Sequence, residues 1–186
     1  SNPATLTVTP LAPVFVSTPA SPATAVQGLQ FLWGPVTITG SPATFTATGL
    51  PTGLAVDPTS GNISGIPNVS DPLPAQYAVT LRAQNVGGTS EPLLIQINVL
   101  PAPPAIISAA AASGQVGSEF SYAILATNSP TSFGAAGLPA GLGVDSGSGV
   151  ISGNPTEAGS FDVTISATNA GGVSSRVVVF TIAPAP

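Results

Sequence analysis

The sequence contains no cysteine, histidine, methionine or lysine, and these absences exclude several kinds of chemistry. Without cysteine the chain has no disulfide framework and no thiolate to act as a nucleophile or a metal ligand. Without histidine and lysine it also lacks the usual general bases and activated amines of enzymes. The composition therefore predicts a protein that is not an enzyme and that carries no cofactor.

Charged residues are also scarce, at 5% of the 186 residues, and the only cations are Arg82 and Arg176. Nucleic-acid binding requires several phosphates to be neutralised together, and binding to anionic lipid requires a similar basic cluster. No apolar run approaches the length of a membrane span, and no secretion signal is visible. We therefore expect neither nucleic-acid binding nor membrane insertion. The sequence is interpreted as a mature form or an excised piece.

Glycine and proline are abundant, with 21 of each, and 43% of the residues are hydrophobic. The hydrophobic residues occur in short alternating runs, which indicates a folded chain that is rich in turns rather than a disordered one. With so few ionic groups, solubility depends on serine, threonine, asparagine, glutamine and the backbone. This amino-acid composition is typical of secreted bacterial surface proteins, so we expect an extracellular or cell-surface location.

One long motif occurs twice. The stretch GLPTGLAVDPTSGNISGIP at residues 49–67 returns as GLPAGLGVDSGSGVISGNP at residues 137–155, with 13 of 19 positions identical. Further downstream, QYAVTLRAQNVGG at residues 76–88 aligns with SFDVTISATNAGG at residues 160–172. A repeat of about 88 residues is too long for the common solenoids and suits a β-sandwich module.

Strand patterns are clear within each repeat. Residues 77–84 and 161–168 alternate between apolar and polar side chains, which predicts half-buried antiparallel strands. Each strand runs into the sequence Asn-x-Gly-Gly, whose residues tolerate positive φ angles, so a hairpin turn is predicted there. A second apolar strand follows each turn, at residues 93–99 and 177–182. No segment has a convincing helical periodicity.

Domain boundaries follow from the repeats and the linkers between them. We predict a first repeat at residues 13–101 and a second at residues 102–186. Residues 1–12 resemble the final strand and linker of a preceding repeat, and we prefer this interpretation to the alternatives of an ordinary first strand or a frayed terminus. The linker sequence Pro-Ala-Pro-Pro favours an extended path, so we expect the two repeats to lie end to end.

The sequence motif GLPxGLxVDxxSGxISGxP is followed by a predicted strand that contains an aromatic residue and ends in (T/Q)NxGG. This combination resembles the Ig-like repeat domains of bacterial surface proteins. These domains are related to the cadherin-like domains of dystroglycan type. The resemblance covers both repeats nearly end to end and implies an all-β fold of two tandem Ig-like or cadherin-like antiparallel β-sandwiches. It also implies a spacer, a stalk or an adhesive module. Cadherin relatives often hold calcium between domains, but the acidic interdomain motifs for that are missing here.

Asp57 and Asp145, one in each motif, are the first candidate site residues. Each begins a tight turn, where a carboxylate can accept hydrogen bonds from the amides two or three residues further on. Calcium would need about six to eight oxygen ligands, usually from several carboxylates, and each loop offers only one. A glycosidase pair would need two carboxylates within roughly 5 to 10 Å, which equivalent positions in different domains do not favour. We therefore predict turn capping, with no metal site and no catalytic residue.

The remaining candidates also favour structural roles. Glu157 and Asp162 are close in sequence, but one is predicted in a loop and the other on the outer face of a strand. Trp33 and Tyr122 align with each other, and we predict core positions rather than a sugar-stacking surface. Two glycosylation sequons, at Asn62 and Asn68, are interpreted as chance because Ile63 is expected to be buried.

Two hypotheses for function follow. The first is a structural repeat module of an extracellular stalk, adhesin or fibre, whose partners are adjacent repeats or copies of itself. In that case residues 1–10 could add as a strand to a neighbour's sheet edge and link subunits head to tail. The alternative is an accessory module that binds a surface glycan or a protein, and the scarcity of tryptophan and tyrosine speaks against it.

Overall fold

The computed structural model describes residues 9–40 and 43–186. The chain divides into two compact units, Ser1–Leu100 and Pro101–Pro186. Within the described residues every regular element is a strand, which confirms the predicted all-β class. The strand predicted for residues 1–10 falls mostly on residues 1–8, which lie outside the described ranges. None of the described residues forms a helix of the length and apolarity that a membrane crossing would need.

The described part of the first unit contains strands β1 to β10. Their bounds are β1 Val14–Ser17, β2 Ala23–Val26, β3 Phe31–Trp33, β4 Thr37–Thr39, β5 Thr44–Thr48, β6 Leu54–Val56, β7 Ile63–Gly65, β8 Ala75–Asn85, β9 Gly88–Thr89 and β10 Leu93–Leu100. One sheet has the order β2-β10-β8-β5, with β9 paired to β8, and the other has the order β3-β7-β6. A two-stranded sheet of β1 and β4 completes the unit.

The second unit repeats this plan with fewer strands. Their bounds are β11 Ala111–Gln115, β12 Phe120–Ala123, β13 Ser132–Ala136, β14 Leu142–Val144, β15 Val150–Gly153, β16 Gly159–Asn169 and β17 Gly172–Ala183. The sheet orders are β11-β17-β16-β13 and β12-β15-β14, so each strand has a counterpart in the first unit. A single bridge between Ile106 and Ala126 replaces the β1–β4 sheet.

The first and last strands of each two-sheet sandwich pair with each other in parallel. We call β2 with β10, and β11 with β17, the terminal-strand pairs. In the second unit five residues of β11 pair with residues 179–183, and in the first unit four residues of β2 pair with residues 97–100. All other strand pairs are antiparallel, as predicted for an Ig-like sandwich.

Each unit has its own hydrophobic core between its sheets. The alternation predicted for β8 and β16 is confirmed, because the inward-facing residues are buried. They are Val79, Leu81 and Ala83 in β8, and Val163, Ile165 and Ala167 in β16. At equivalent core positions, a larger side chain in one unit is balanced by a smaller side chain in the other. The first unit combines Trp33 with Ile97, whereas the second combines Tyr122 with Phe180, and all four side chains are buried.

Candidate functional site

The duplicated motif folds in both units into a hairpin, β6–β7 in the first and β14–β15 in the second. Its apolar positions point into the core, and Ile63 and Ile151 are fully buried. The loop of the hairpin also reaches the opposite sheet, where Phe45 donates its backbone N–H to Pro58 O at 2.9 Å. Phe133 does the same to Ser146 O at 2.9 Å, so the motif closes one side of each sandwich.

Asp57 and Asp145 cap the turns of these hairpins, as predicted. Asp57 Oδ1 accepts the backbone N–H groups of Thr59 at 2.8 Å and Ser60 at 2.7 Å. Asp145 Oδ1 accepts the N–H groups of Gly147 at 3.0 Å and Ser148 at 2.7 Å, and the Ser148 hydroxyl at 2.9 Å. Both carboxylates therefore use one oxygen to hold their own turn.

These hydrogen bonds favour the ionised form of each carboxyl group. The backbone N–H of Ser60, followed by that of Thr59, lowers the pKa of Asp57 below its ordinary value of 3.8. For Asp145 the backbone N–H and then the hydroxyl of Ser148 lower the pKa in the same direction. Because the folded-state pKa is lower than the unfolded-state pKa, ionisation stabilises the fold above the unfolded value. That stabilisation is lost as the pH falls through the folded-state pKa.

We expect the Asp145→Asn variant to lose less stability in acid than the unsubstituted protein. Asparagine can cap the same turn but does not titrate in this range. The melting temperature of the second unit should therefore fall less between about pH 5 and pH 2 in the variant. Thermal unfolding monitored by circular dichroism at several pH values measures the difference, which should be modest because both carboxylates are exposed. Identical pH profiles for the two proteins would contradict the assignment.

Trp33 and Tyr122 occupy equivalent core positions, and their polar atoms bond to the backbone. Trp33 Nε1 donates to Ala20 O at 3.1 Å, and the Tyr122 hydroxyl donates to Ala109 O at 2.6 Å. Their exposed fractions are 4% and 8%. Neither ring presents a face for sugar stacking, so the prediction that both are core residues is confirmed.

The other acidic and sequon residues do not come together into a site. Glu157 lies in the loop before β16 and Asp162 lies on β16, and both are exposed. Over residues 9–40 and 43–186, no group of three acidic side chains lies close enough to hold a metal ion. In the first sequon, Asn62 Oδ1 is buried without a hydrogen-bond partner, and Ile63 is fully buried.

The Asn-x-Gly-Gly sequences form the predicted hairpin turns, between β8 and β9 and between β16 and β17. In the ladder Asn85 pairs with Gly88, and Asn169 pairs with Gly172. The positive φ angles lie at the end of each turn, at +137° for Gly88 and +142° for Gly172, rather than at the asparagine. The asparagine instead caps the turn, since Asn85 Oδ1 accepts the Gly87 N–H and Asn169 Oδ1 accepts the Gly171 N–H, both at 2.8 Å.

These two hairpin asparagines also bind the linker segment at the start of their own unit, residues 10–13 in the first unit and 101–104 in the second. Asn169 Nδ2 donates to Ala102 O at 2.8 Å in the linker and to Asn128 O at 2.7 Å in the loop before β13. Asn85 Nδ2 makes the equivalent bonds, to Leu11 O at 2.9 Å and Gly40 O at 2.6 Å. One side chain thus joins three segments that are distant in sequence.

The glycine in the middle of each turn makes room for the same linker. A Cβ atom on Gly171 would lie 1.8 Å from Pro101 O, and one on Gly87 would lie 1.8 Å from Pro10 O. Sequence reasoning identified the turn but missed this second role. The signal was present, because a similar proline-rich segment precedes both hairpins, Pro10-Leu11-Ala12-Pro13 before the first and Pro101-Ala102-Pro103-Pro104 before the second.

We expect Asn169→Ala to destabilise the second unit by about 2 to 3 kcal/mol, because three hydrogen bonds of a side chain that is 7% exposed are lost. The matched variant Asn169→Asp keeps the oxygen that caps Gly171 but cannot donate to Ala102 or Asn128. Asn169→Asp should therefore also be destabilised, and a protease should cut both variants faster near Pro101–Pro104. Urea unfolding and limited proteolysis measure the two effects. An Asn169→Asp variant as stable and as resistant as the unsubstituted protein would contradict a linker-binding role.

Comparison with known proteins identifies related sequences and folds. Residues 3–100 and 103–185 each match the model of the family described as "Putative Ig domain". The "Serine-rich adhesin for platelets" of Staphylococcus aureus (strain MRSA252) is 33% identical over 135 residues, which are 69% of this chain and 10% of that protein. The chain therefore spans about a tenth of the length of this curated relative.

Two solved structures of multidomain fragments have similar folds. Domains 3–5 of Drosophila OTK match with a TM-score of 0.62 at 13% identity, over 90% of this chain and 61% of that one. Immunoglobulin domains 1–4 of Sidekick-1 match with a TM-score of 0.57 at 16% identity, over 96% of this chain and 50% of that one. At these identities the similarity shows the fold alone.

Proposed function

This chain belongs to the family described as "Putative Ig domain", and from that premise we propose that it is a non-enzymatic structural repeat module of an extracellular bacterial surface protein. In this role it would serve as a spacer within a stalk, an adhesin or a fibre, and its partners would be adjacent repeats. The similarity to a staphylococcal adhesin over 69% of the chain supports a surface setting.

The observation that carries the proposal is the path of the chain through each unit. The linker contacts the hairpin turn at which β17 begins, through the bond from Asn169 to Ala102 O. Strand β17 then runs for 12 residues away from that turn, a distance of about 40 Å. The chain thus enters the unit at one end and leaves it at the other. The bond from Asn85 to Leu11 O and strand β10 give the first unit the same path.

The use of the polar side chains supports the same conclusion. The candidate residues that could have formed a site instead hold the unit's own backbone, as the capping aspartates, the hairpin asparagines and the two buried aromatic residues do. The single arginine of each unit follows this pattern. Arg82 donates to Ser90 O at 3.3 Å, and Arg176 donates to Ser108 O at 3.0 Å.

A display experiment tests the spacer role. The chain is placed on a bacterial surface between an anchor and a binding domain of known ligand, and capture of that ligand on beads is measured. We expect capture to rise with one and then two copies of the chain, and to be unchanged by Thr46→Ala and Leu94→Ala on exposed strand positions. If the isolated chain itself bound a glycan array or host protein with micromolar affinity, and these substitutions abolished it, the binding-module hypothesis would replace the spacer role.

Calcium should leave the stability of the protein unchanged. Each motif loop supplies a single carboxylate, whereas a calcium site needs about six to eight oxygen ligands. We therefore expect no heat of binding in calorimetry and the same melting temperature in millimolar calcium and in a chelator. Micromolar binding with a large rise in the melting temperature would show that the acidic residues serve a metal.

A further inference from the structure

We infer that strand β11 of the second unit is an open sheet edge that pairs with the same strand of a second copy of this protein. The two strands would lie antiparallel and would join two four-stranded sheets into one. This contact would hold neighbouring chains side by side. It goes beyond the proposed spacer function, because a spacer needs contacts only along its own chain.

Strand β11 uses every second residue to bind β17 in its terminal-strand pair. Val179 donates to Ala110 O and Val116 donates to Ala183 O, both at 3.0 Å, so the even-numbered residues from 110 to 116 face β17. The N–H and C=O groups of successive residues in a strand point to opposite edges. The groups on the free edge therefore belong to the odd-numbered residues, Ala111, Ser113 and Gln115.

These outward groups are free to accept another strand. Across residues 9–40 and 43–186, the N–H and C=O groups of Ala111 and Ser113 make no hydrogen bond, and the N–H of Gln115 makes none either. The side chains of Ala111 and Ser113 are exposed, so no other segment covers them. A row of unpaired donors and acceptors on an exposed edge is a template for strand addition.

The equivalent edge of the first unit is blocked by proline. Strands β2 and β11 can be aligned through the equivalent core residues Ile97 and Phe180, whose partners in the parallel pairs are Ala23 and Ala112. Pro22, which is exposed, then takes the place of Ala111. Proline has no N–H to offer, and a proline on an edge strand is a common protection against strand addition.

The edge of the second unit has no such protection. Residues 105–118 contain neither proline nor a charged residue, and most of their side chains are small. Natural edge strands are usually protected by one or the other. The two units therefore differ at one edge only in whether a further strand can be added there.

A second copy is the partner that fits, because the β11 edge is complementary to itself. With a two-fold axis at Ser113, antiparallel copies place Ser113 opposite Ser113 and Ala111 opposite Gln115. All of these residues face outward, so each copy donates three N–H groups to carbonyl groups of the other. No like charges face each other, since the paired segments are uncharged.

The unit holds this edge extended before a partner arrives. The Tyr122 hydroxyl donates to Ala109 O at 2.6 Å just before β11, and Gln115 Nε2 donates to Pro184 O at 3.1 Å at its end. Together with the bonds to β17, these contacts fix the backbone of the strand. A partner therefore does not have to order it, which lowers the entropic cost of association.

The contact is small, and this determines where it would act. Five residues on each side bury much less than the about 1,200 Å² of a stable interface, so isolated copies should be mainly monomeric in dilute solution. Many such contacts act together when chains are crowded or contain several repeats. The pairing therefore suits lateral association of neighbouring chains.

The first test is disulfide cross-linking of the full chain, which has no cysteine of its own. In the proposed pair the two Ser113 Cα atoms lie about 5.5 Å apart, which a disulfide can span. Thr24 is the matched control, because it is the exposed residue equivalent to Ser113 on the edge that Pro22 blocks. The rate at which each cysteine reacts with a small disulfide reagent corrects for differences in intrinsic reactivity.

Under mild oxidation at equal concentration, Ser113→Cys should form disulfide dimers at least about tenfold faster than Thr24→Cys, because pairing raises the effective concentration of the thiols. Adding Ala111→Pro to Ser113→Cys should reduce the rate to that of Thr24→Cys. The melting temperature should not change, since the Ala111 N–H makes no bond among the described residues. Equal rates for the two cysteine variants would overturn the inference, and would leave the edge to an extended segment of another protein.

The second test uses the position of Ser113 opposite itself. Two copies of Ser113→Glu, or two copies of Ser113→Lys, would place like charges face to face and should not pair, whereas a mixture places opposite charges together. Both variants stay net negative, because the unsubstituted chain carries a charge of −5. Attraction between the whole molecules therefore does not favour the mixture.

Isotope-labelled Ser113→Glu protein is titrated with unlabelled Ser113→Lys protein, or with unlabelled Ser113→Glu protein as the control, and its amide NMR signals are followed. The signals of Ala111 and Gln115 should shift with the lysine variant only, and those of Ala112 and Gly114, which face β17, should shift less. No shift, or the same shift with both titrants, would overturn the inference. The display experiment is unaffected by either result, so the spacer role is decided separately.

Discussion

Replacing Phe180 by alanine should remove about 3 to 5 kcal/mol from the free energy of unfolding of the second unit, and leave the first unit folded. Phe180 is fully buried, and its ring centre lies 5.0 Å from that of Phe120 and 5.1 Å from that of Tyr122. Its removal leaves a cavity in the middle of this aromatic cluster. Since domains have only about 5 to 15 kcal/mol of stability, the variant unit should be close to unfolding.

The single tryptophan makes this result easy to assign. Trp33 is buried in the core of the first unit, so its fluorescence follows that unit alone, while far-ultraviolet circular dichroism follows both. In urea, the Phe180→Ala protein should lose part of its circular dichroism well before its tryptophan signal changes. The control Val179→Ala, whose side chain is on the outer face of the same strand, should change little. A tryptophan transition that shifted with Phe180→Ala would show that the units do not unfold independently.

The second large effect is expected for Gly141→Ala, in the motif of the second unit. Gly141 has φ +94°, and a Cβ atom there would lie 2.1 Å from the backbone oxygen of Asn154. The β14–β15 hairpin would have to separate to accommodate the methyl group. We expect a loss of about 3 to 4 kcal/mol in the unfolding free energy, because strain and a clash with fixed backbone are combined.

The control for Gly141 is Gly117→Ala. Gly117 has a similar φ of +78°, but nothing lies within 4 Å of the position of the added Cβ atom. It should therefore show only the cost of a left-handed backbone, about 1 to 2 kcal/mol. Urea unfolding of both variants, with Trp33 as the internal reference, gives the comparison. Equal losses in the two variants would mean that backbone strain alone explains why glycine is needed in the motif.

Features that depend on neighbouring residues were predictable from the sequence. The alternation at residues 77–84 and 161–168 gave the strands and their inward faces, since side chains in a strand point to opposite sides in turn. The turn capping by Asp57 and Asp145 was also predictable, because the amides that it holds are only two and three residues further on. The alignment of Trp33 with Tyr122 identified a core position in both units.

Features that join distant parts of the chain were not predictable in the same way. The parallel pairing of β2 with β10 has no local signal, because the strand Ala23–Val26 is short and carries small side chains. The linker-binding role of Asn85 depends on an oxygen 74 residues away. The positive φ angle expected in the Asn-x-Gly-Gly turn is present, but its exact position within the turn was not predictable. The central glycine is there to leave space for the linker, and the left-handed backbone lies one residue later.

The binding of each linker to the unit that follows it has a consequence for how such proteins can be recombined. Asn169 and Gly171 recognise Pro101 and Ala102, so the linker and the hairpin that holds it must be inherited together. A gene segment cut immediately after the codon for Leu100 or its equivalents would carry both, and could be duplicated or exchanged between arrays without loss. A cut a few codons later would separate them, and the hybrid would join a hairpin to a linker that it did not evolve to hold.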